Sequence, residues 1–131
     1  MRLRPAFAGE DVAYATVHRG YGTDVGAARF YVVSDATRWN RLRLLALATQ
    51  VLWILVRERP DVVVTTGAAP GYFAVRLARL FGARTAWIDS FANIDQVSLA
   101  GRRAGPRSDL WLTQWAHLAK AAGPHFEGGV V

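Results

Sequence analysis

Few residues in this chain have the types and spacing that do chemistry, and most of them lie between Asp61 and Trp115. Asp89 closes an apolar run and Ser90 follows it. A carboxylate there suits a general base or a ligand for sugar hydroxyls. It equally suits the cap of the turn that follows, a place aspartate favours. No acid–base partner accompanies it. Ser90 has neither a G-x-S-x-G setting nor an identified histidine partner, which argues against an activated nucleophile. Thr66, Gly67, Pro70 and Gly71 form a small-residue turn leading into a helix, and free N–H groups at a helix start suit a phosphate. A plain tight turn would use the same residues. Arg102 and Arg103 offer charge-assisted hydrogen bonds to an anion, or serve as solvated surface charge. No residue is assigned a catalytic role. His18, His117 and His125 show no ligand spacing and cysteine is absent, so no metal site is expected and a disulfide framework is impossible.

Regular elements must position these groups. Val62-Val63-Val64-Thr65-Thr66 is β-branched without alternation and reads as a buried parallel strand. Pro70 stands where a helix can begin, the stretch from Gly71 to Phe81 continues as an amphipathic helix, and Gly82 ends it. Thr85 to Asp89 is a second apolar strand. This βαβ unit sets the Gly67 turn at the carboxyl edge of a parallel sheet, where open α/β sheets bind ligands. Ahead of it, Asp11–Val17 and Arg29–Ser34 read as strands, separated by a glycine-dense loop, His18–Gly26. A second loop, Asp35–Asn40, carries Arg38 and Trp39. With Arg19, these two are either ligand contacts at the same edge or solvated loop residues. Beyond the unit, Ser90–Gly101 is a loop or short helix, Asp109–Trp115 a further buried strand, Ala116–Ala122 a brief helix and His125–Glu127 an extended piece. Trp87 and Trp111 fall mid-strand and belong to the core.

The helix predicted over Arg41–Arg59 has an uncharged centre, Leu44–Val56, with Arg43, Gln50 and Arg57 on one narrow polar stripe. Its apolar run is too short for a bilayer, which needs about 20 residues. It is either a core helix or one whose outer side lies on a membrane or partner, with Arg43, Trp53 and Arg57 at the contact.

The 131 residues suit one domain, and 52% hydrophobic content suits a globular or membrane-apposed protein. A net charge of +6, mostly arginine, favours an anionic partner, or reflects a genome that favours arginine on solvated surfaces. No nucleic-acid motif is visible, so no specific nucleic-acid partner is expected. The absence of G-x-G-x-x-G and G-x-x-x-x-G-K-[ST] weakens the alternative of a free-standing Rossmann-like nucleotide-binding enzyme, and no cofactor is expected. Met1–Glu10 reads as a short helix or its tail, with no apolar signal region, so a cytosolic location follows. A doubly wound domain opens with a strand and a Gly-rich turn; this chain starts as if inside the first helix, so either the domain lacks its first strand or Met1 is not the natural start, and the second is the expectation.

The order of these pieces resembles one family. Pro60-Asp61 with Thr65-Thr66-Gly67 through Gly71, then Asp89-Ser90-Phe91-Ala92, then Ser98-Leu99-Ala100-Gly101-Arg102, then Asp109 with Gln114-Trp115, are similar to successive motifs of a transferase subunit. That subunit is the membrane-recruiting, acceptor-side half of the two-part UDP-N-acetylglucosamine transferases acting on dolichyl diphosphate GlcNAc. Similar bacterial proteins form half of split exopolysaccharide or capsule glycosyltransferases. The likeness covers about half of the chain. It implies an α/β, Rossmann-like parallel sheet with helices on both faces, the N-terminal half of a GT-B glycosyltransferase lacking its first strand, in a single domain over residues 1–131 with a partly ordered tail from 116. It further implies a subunit inactive without a separate UDP-sugar-binding catalytic partner. Thr66, Gly67, Pro70, Gly71, Asp89, Ser90, Arg102 and Arg103 would hold a polyprenyl diphosphate-linked sugar, Gln114 and Trp115 would face the partner, and the protein would sit peripherally at the inner face of the membrane. The family's first strand, Gly-Gly-His turn and the anchor of its eukaryotic members are not found ahead of these motifs in this sequence.

Overall fold

The computed structural model describes residues 7, 9–17, 19–20, 29–34, 40–90 and 92–128; Arg38 and Trp39 and the predicted helix over Met1–Glu10 lie largely or wholly outside them. Six strands and three α-helices follow in the order β1 (Ala13–Thr16), β2 (Arg29–Val32), α1 (Arg41–Glu58), β3 (Val62–Thr65), α2 (Ala68–Ala78), β4 (Arg84–Ile88), α3 (Leu99–Ala104), β5 (Leu110–Thr113) and β6 (His125–Phe126). Every pairing is parallel, as the unbroken β-branched runs require. Among the described residues β1 pairs only with β2, and β3 to β6 form a second sheet in sequence order.

The α1 helix starts and stops where its sequence says. The Asn40 side chain accepts from the Arg43 N–H at 3.1 Å, a cap worth about 1 kcal/mol. At the other end Arg59 turns left-handed, its N–H bonding the Leu55 carbonyl, and Pro60 forbids continuation. Leu47, Val51 and Leu55 are buried along one side. They form a single cluster with Val33 and Ala78, against which Val17 and Val63 also pack, so α1 covers both sheets. It runs antiparallel to β2: Arg29 Nε donates to the Glu58 carboxylate, Tyr31 stacks edge-on against Trp53, and Gln50 accepts from the Ser34 N–H at 2.8 Å while donating to Ser34 Oγ at 3.0 Å.

The polar stripe predicted for α1 is corrected by these bonds. Gln50 turns inward to Ser34, and the outward side exposes Leu42, Leu45, Leu52, Trp53 and Val56. Burying Leu47, Val51 and Leu55, with Leu44 and Ile54 packed beside them, fixes the helix's rotation and leaves the other large apolar residues facing outward.

On the second sheet, Val63 and Thr65, Thr85 and Trp87, and Trp111 and Thr113 share the side covered by the helices. Two indoles there demand close backbone. A Cβ on Gly71 would overlap the Thr65 side chain, one on Gly105 the Trp111 ring, and one on Gly101 would come within 2.9 Å of Trp87 Nε1. Glycine at these sites lets α2 and α3 settle onto the sheet. Trp87 is wholly buried as predicted, whereas Trp111 is half-buried with its Nε1 sealed from water and unpartnered. The three α-helices lie on this one side. Helices on both faces are thus not found among the described residues, and Val62, Val64 and Leu110 stand exposed on the other face.

The C-terminal region extends the sheet rather than trailing from it. Ala116–Leu118 makes one 3-10 turn, shorter than the helix predicted there, and β6 pairs with β5 at Leu112–His125 and Thr113–Phe126. The Asp109 carboxylate accepts from the Thr85 N–H at 2.8 Å, and its own N–H bonds Thr85 Oγ1 at 3.1 Å. That aspartate therefore locks β5 to β4 at their amino ends.

Candidate functional site

Parallel register brings the carboxyl ends of β3, β4 and β5 to one rim, and the motif segments gather there. Thr65, Trp87 and Trp111 stand level across the strands. Gly67 follows β3 with φ 124° and ψ −161°, a conformation closed to other residues, and its N–H bonds Thr65 Oγ1 at 3.1 Å. The α2 helix opens immediately afterwards at Ala68, so Pro70 is its third residue rather than its first. All first-turn N–H groups lack helical partners, so the proline is tolerated there equally well. No side chain caps this helix, and no acidic residue stands in its first turn. A helix start of this kind carries a partial positive charge.

Asp89 holds the middle of the rim. It is 1% exposed, and it accepts four hydrogen bonds: from Trp87 Nε1 at 3.1 Å, Asn93 Nδ2 at 3.2 Å, the Ser98 N–H at 3.0 Å and Ser98 Oγ at 2.6 Å. Ser98 Oγ in turn accepts from the Gly101 N–H and caps α3. One carboxylate thus pins both ends of the segment from Ser90 to Ser98, satisfying donors that would otherwise be stranded in the interior. Its lone pairs are occupied by the protein's own donors. The capping role is the one it plays, over a nine-residue span. Ser90 is likewise occupied locally, its Oγ accepting from the Ala92 N–H at 3.2 Å.

The remaining site residues divide. Thr66 is exposed at the rim, Pro70 is half-buried and Gly71 is buried against Thr65. Arg102 and Arg103 are exposed on the outward side of α3, since Gly101 and Ala104 take the inward side. Arg102 is one turn back from Ser98, about 6 Å along the helix axis. Gln114 and Trp115 follow β5 at the rim, half-buried, with Trp115 tilted against His117. His117, with no role predicted, contacts the Ile94 carbonyl through Nε2 at 2.5 Å and so ties the segment after β5 to the Asp89 loop.

Away from the rim, Arg43, Trp53 and Arg57 lie on α1. All three are exposed, and the Arg57 guanidinium sits over the Trp53 ring at 5.4 Å. Leu42 is 81% and Leu45 66% exposed on the same helix. At the strand end of α1, the Glu58 carboxylate and then Asp11 hold the Arg29 guanidinium charged, above its ordinary pKa. No group of metal-binding side chains occurs among the described residues, and none of their helices is long and apolar enough to cross a membrane. No family model, curated protein or solved structure matches the chain.

Proposed function

We propose that this chain is the acceptor-side half of a split glycosyltransferase, holding a polyprenyl diphosphate-linked sugar for a separate UDP-sugar-binding subunit at a membrane surface. The observation that carries the reading is the convergence of the Gly67 turn, the Asp89–Ser98 loop and the Gln114–Trp115 segment on one rim of a parallel sheet. The uncapped start of α2 is suited to diphosphate oxygens. The Asp89 network keeps the neighbouring loop in shape without a ligand, so ordering it would not weaken binding. Arg102 and Arg103 add positive charge a turn away. The apolar outward side of α1, with Arg41, Arg43 and Arg57 exposed along it, suits the surface of an anionic bilayer, where such a lipid resides.

Among the described residues no side-chain pair at this rim has the disposition of an acid–base couple, and in this reading the chain's part is to bind and orient. Transfer then requires the partner. The isolated chain with UDP-sugar and lipid acceptor is expected to give no product above background, and robust turnover by the isolated chain would refute the proposal. In the reconstituted pair, exchanging both Arg102 and Arg103 for alanine raises the acceptor KM about tenfold, the effect of losing about 1.4 kcal/mol. An unchanged KM would reduce those arginines to solvated charge.

A further inference from the structure

The α2 and α3 helices lie side by side on the sheet, and their facing sides follow from what each residue packs against. On α2, Phe73, Ala74 and Leu77 join the α1 cluster, whereas Tyr72 and Val75 share a cluster with Ala100 and Ala104 of α3. The helix runs on into the 3-10 turn Arg79–Phe81. Helical period then puts Arg76, four residues after Tyr72, and Arg79, four after Val75, on the α3 side of α2. On α3, Gly101 and Ala104 are buried against the sheet side, and Ala100 marks the side toward α2. Arg103, three residues after Ala100, therefore leans outward toward α2, while Arg102 points away from it. Arg107 ends the 3-10 turn Gly105–Arg107, and Arg79 Nη1 donates to its carbonyl. Arg76, Arg79, Arg103 and Arg107 thus line the two walls of one groove.

No carboxylate answers this charge among the described residues. The stretches 67–82 and 98–108 hold five arginines and no acidic residue. Asp89 is enclosed and already accepts four hydrogen bonds, and the Asp109 carboxylate is taken by the Thr85 N–H at 2.8 Å. The ion pairs among the described residues are those of Arg29. Two of the groove's guanidinium groups are also held in place. Arg76 donates to the Tyr72 hydroxyl at 3.1 Å with its guanidinium carbon 5.6 Å from the ring centre, and Arg79 is tied to the Arg107 carbonyl. A guanidinium carries five N–H donors, so both keep most of theirs for a ligand. Like charges converging on one groove repel, and an anion seated between them reverses the sign of that interaction.

We propose that the α2–α3 groove is a second anion site, taking a phosphate monoester or diphosphate group. Arginine's planar fork meets phosphate oxygens in pairs, and a tetrahedral phosphate presents oxygens to both walls at once, which a planar carboxylate does not. The site is separate from the rim. Arg79 follows the 11 residues of α2, so about 16 Å of helix lies between it and the Gly67 turn. Arg107 stands just ahead of β5, and the groove therefore opens toward the amino ends of the strands. Arg103, nearer the rim, is the residue common to both sites. The phosphate belongs either to a free phosphate compound or to a phospholipid headgroup. This inference rests on the groove alone and stands apart from the proposed acceptor.

Titration with inorganic pyrophosphate at constant ionic strength, followed by NMR, tests it. The Nε–H signals of Arg76, Arg79, Arg103 and Arg107 shift together and saturate, and sodium glutamate leaves them in place. Shifts confined to the Gly67 to Gly71 amides would overturn the groove site while sparing the rim, and equal shifts with glutamate would overturn the assignment to phosphate. Exchanging Arg76, Arg79 and Arg107 for glutamine weakens pyrophosphate binding about tenfold, and lysine at the same three places restores it only in part, since charge returns without the paired bonds. Unchanged affinity in the folded glutamine variant, or full recovery with lysine, would overturn the proposal. Vesicles of phosphatidylcholine and phosphatidic acid separate the two sources: displacement of pyrophosphate from the four arginines assigns the site to a headgroup, and its retention assigns the site to a free phosphate compound.

Discussion

The two halves of the molecule use the same βα grammar and treat their side chains in opposite ways. Around β4, β5 and α3, bulky groups are enclosed and polar ones are answered: Trp87 is wholly buried, and Asp89 satisfies four donors. Around β2 and α1, Trp53 and several leucines face outward, while Gln50 turns in. Exposed apolar residues are ordinary when scattered singly, but a continuous side of an 18-residue helix is not scattered. The contrast teaches that the rim half is held in shape by its own bonds, whereas the α1 half leaves a continuous apolar side exposed.

Breaking the rim should cost most. Asp89→Ala strands the Trp87 indole and the Ser98 and Asn93 donors together, and a loss of about 3 kcal/mol is expected in urea unfolding. A loss under about 1 kcal/mol would mean that the loop is held by its own packing. Gln50→Ala removes two bonds to Ser34 at a half-buried position, with an expected loss of about 1 kcal/mol in the same measurement. Leu42→Glu with Leu45→Glu should change stability by less than about 0.5 kcal/mol, because both side chains are already in water. The same pair should abolish cosedimentation with anionic vesicles. If it destabilises instead, or leaves vesicle binding intact, the outward side of α1 is not a contact surface.

Much of the framework was legible from residue type. The β-branched run and the apolar run marked β3 and β4 to within a residue, and the uncharged stretch with its flanking arginines bounded α1 as closely. The start of α2 was placed two residues late, because proline was read as a first helical residue when any place in the first turn serves. α3 left little trace: six residues with an internal glycine and two arginines carry no period, and Ser98 and Asp89 set its start from outside. The part played by Asp89 was open between ligand and cap, since its donors at positions 87, 93 and 98 come together only through the fold. Likewise, helical period showed that α1 is apolar nearly all round, but only Val17, Val33 and Val63 decide which side is enclosed.

The bond from His117 to the Ile94 carbonyl also orders events in time. Ile94 belongs to the loop after β4, yet its tether is synthesised 23 residues later, beyond β5. Domains form as the chain emerges, amino end first. The loop between Ser90 and Ser98 can therefore be drawn in by Asp89 early, but it reaches its final closure only after β5 and His117 have been laid down, making this edge of the sheet late to mature.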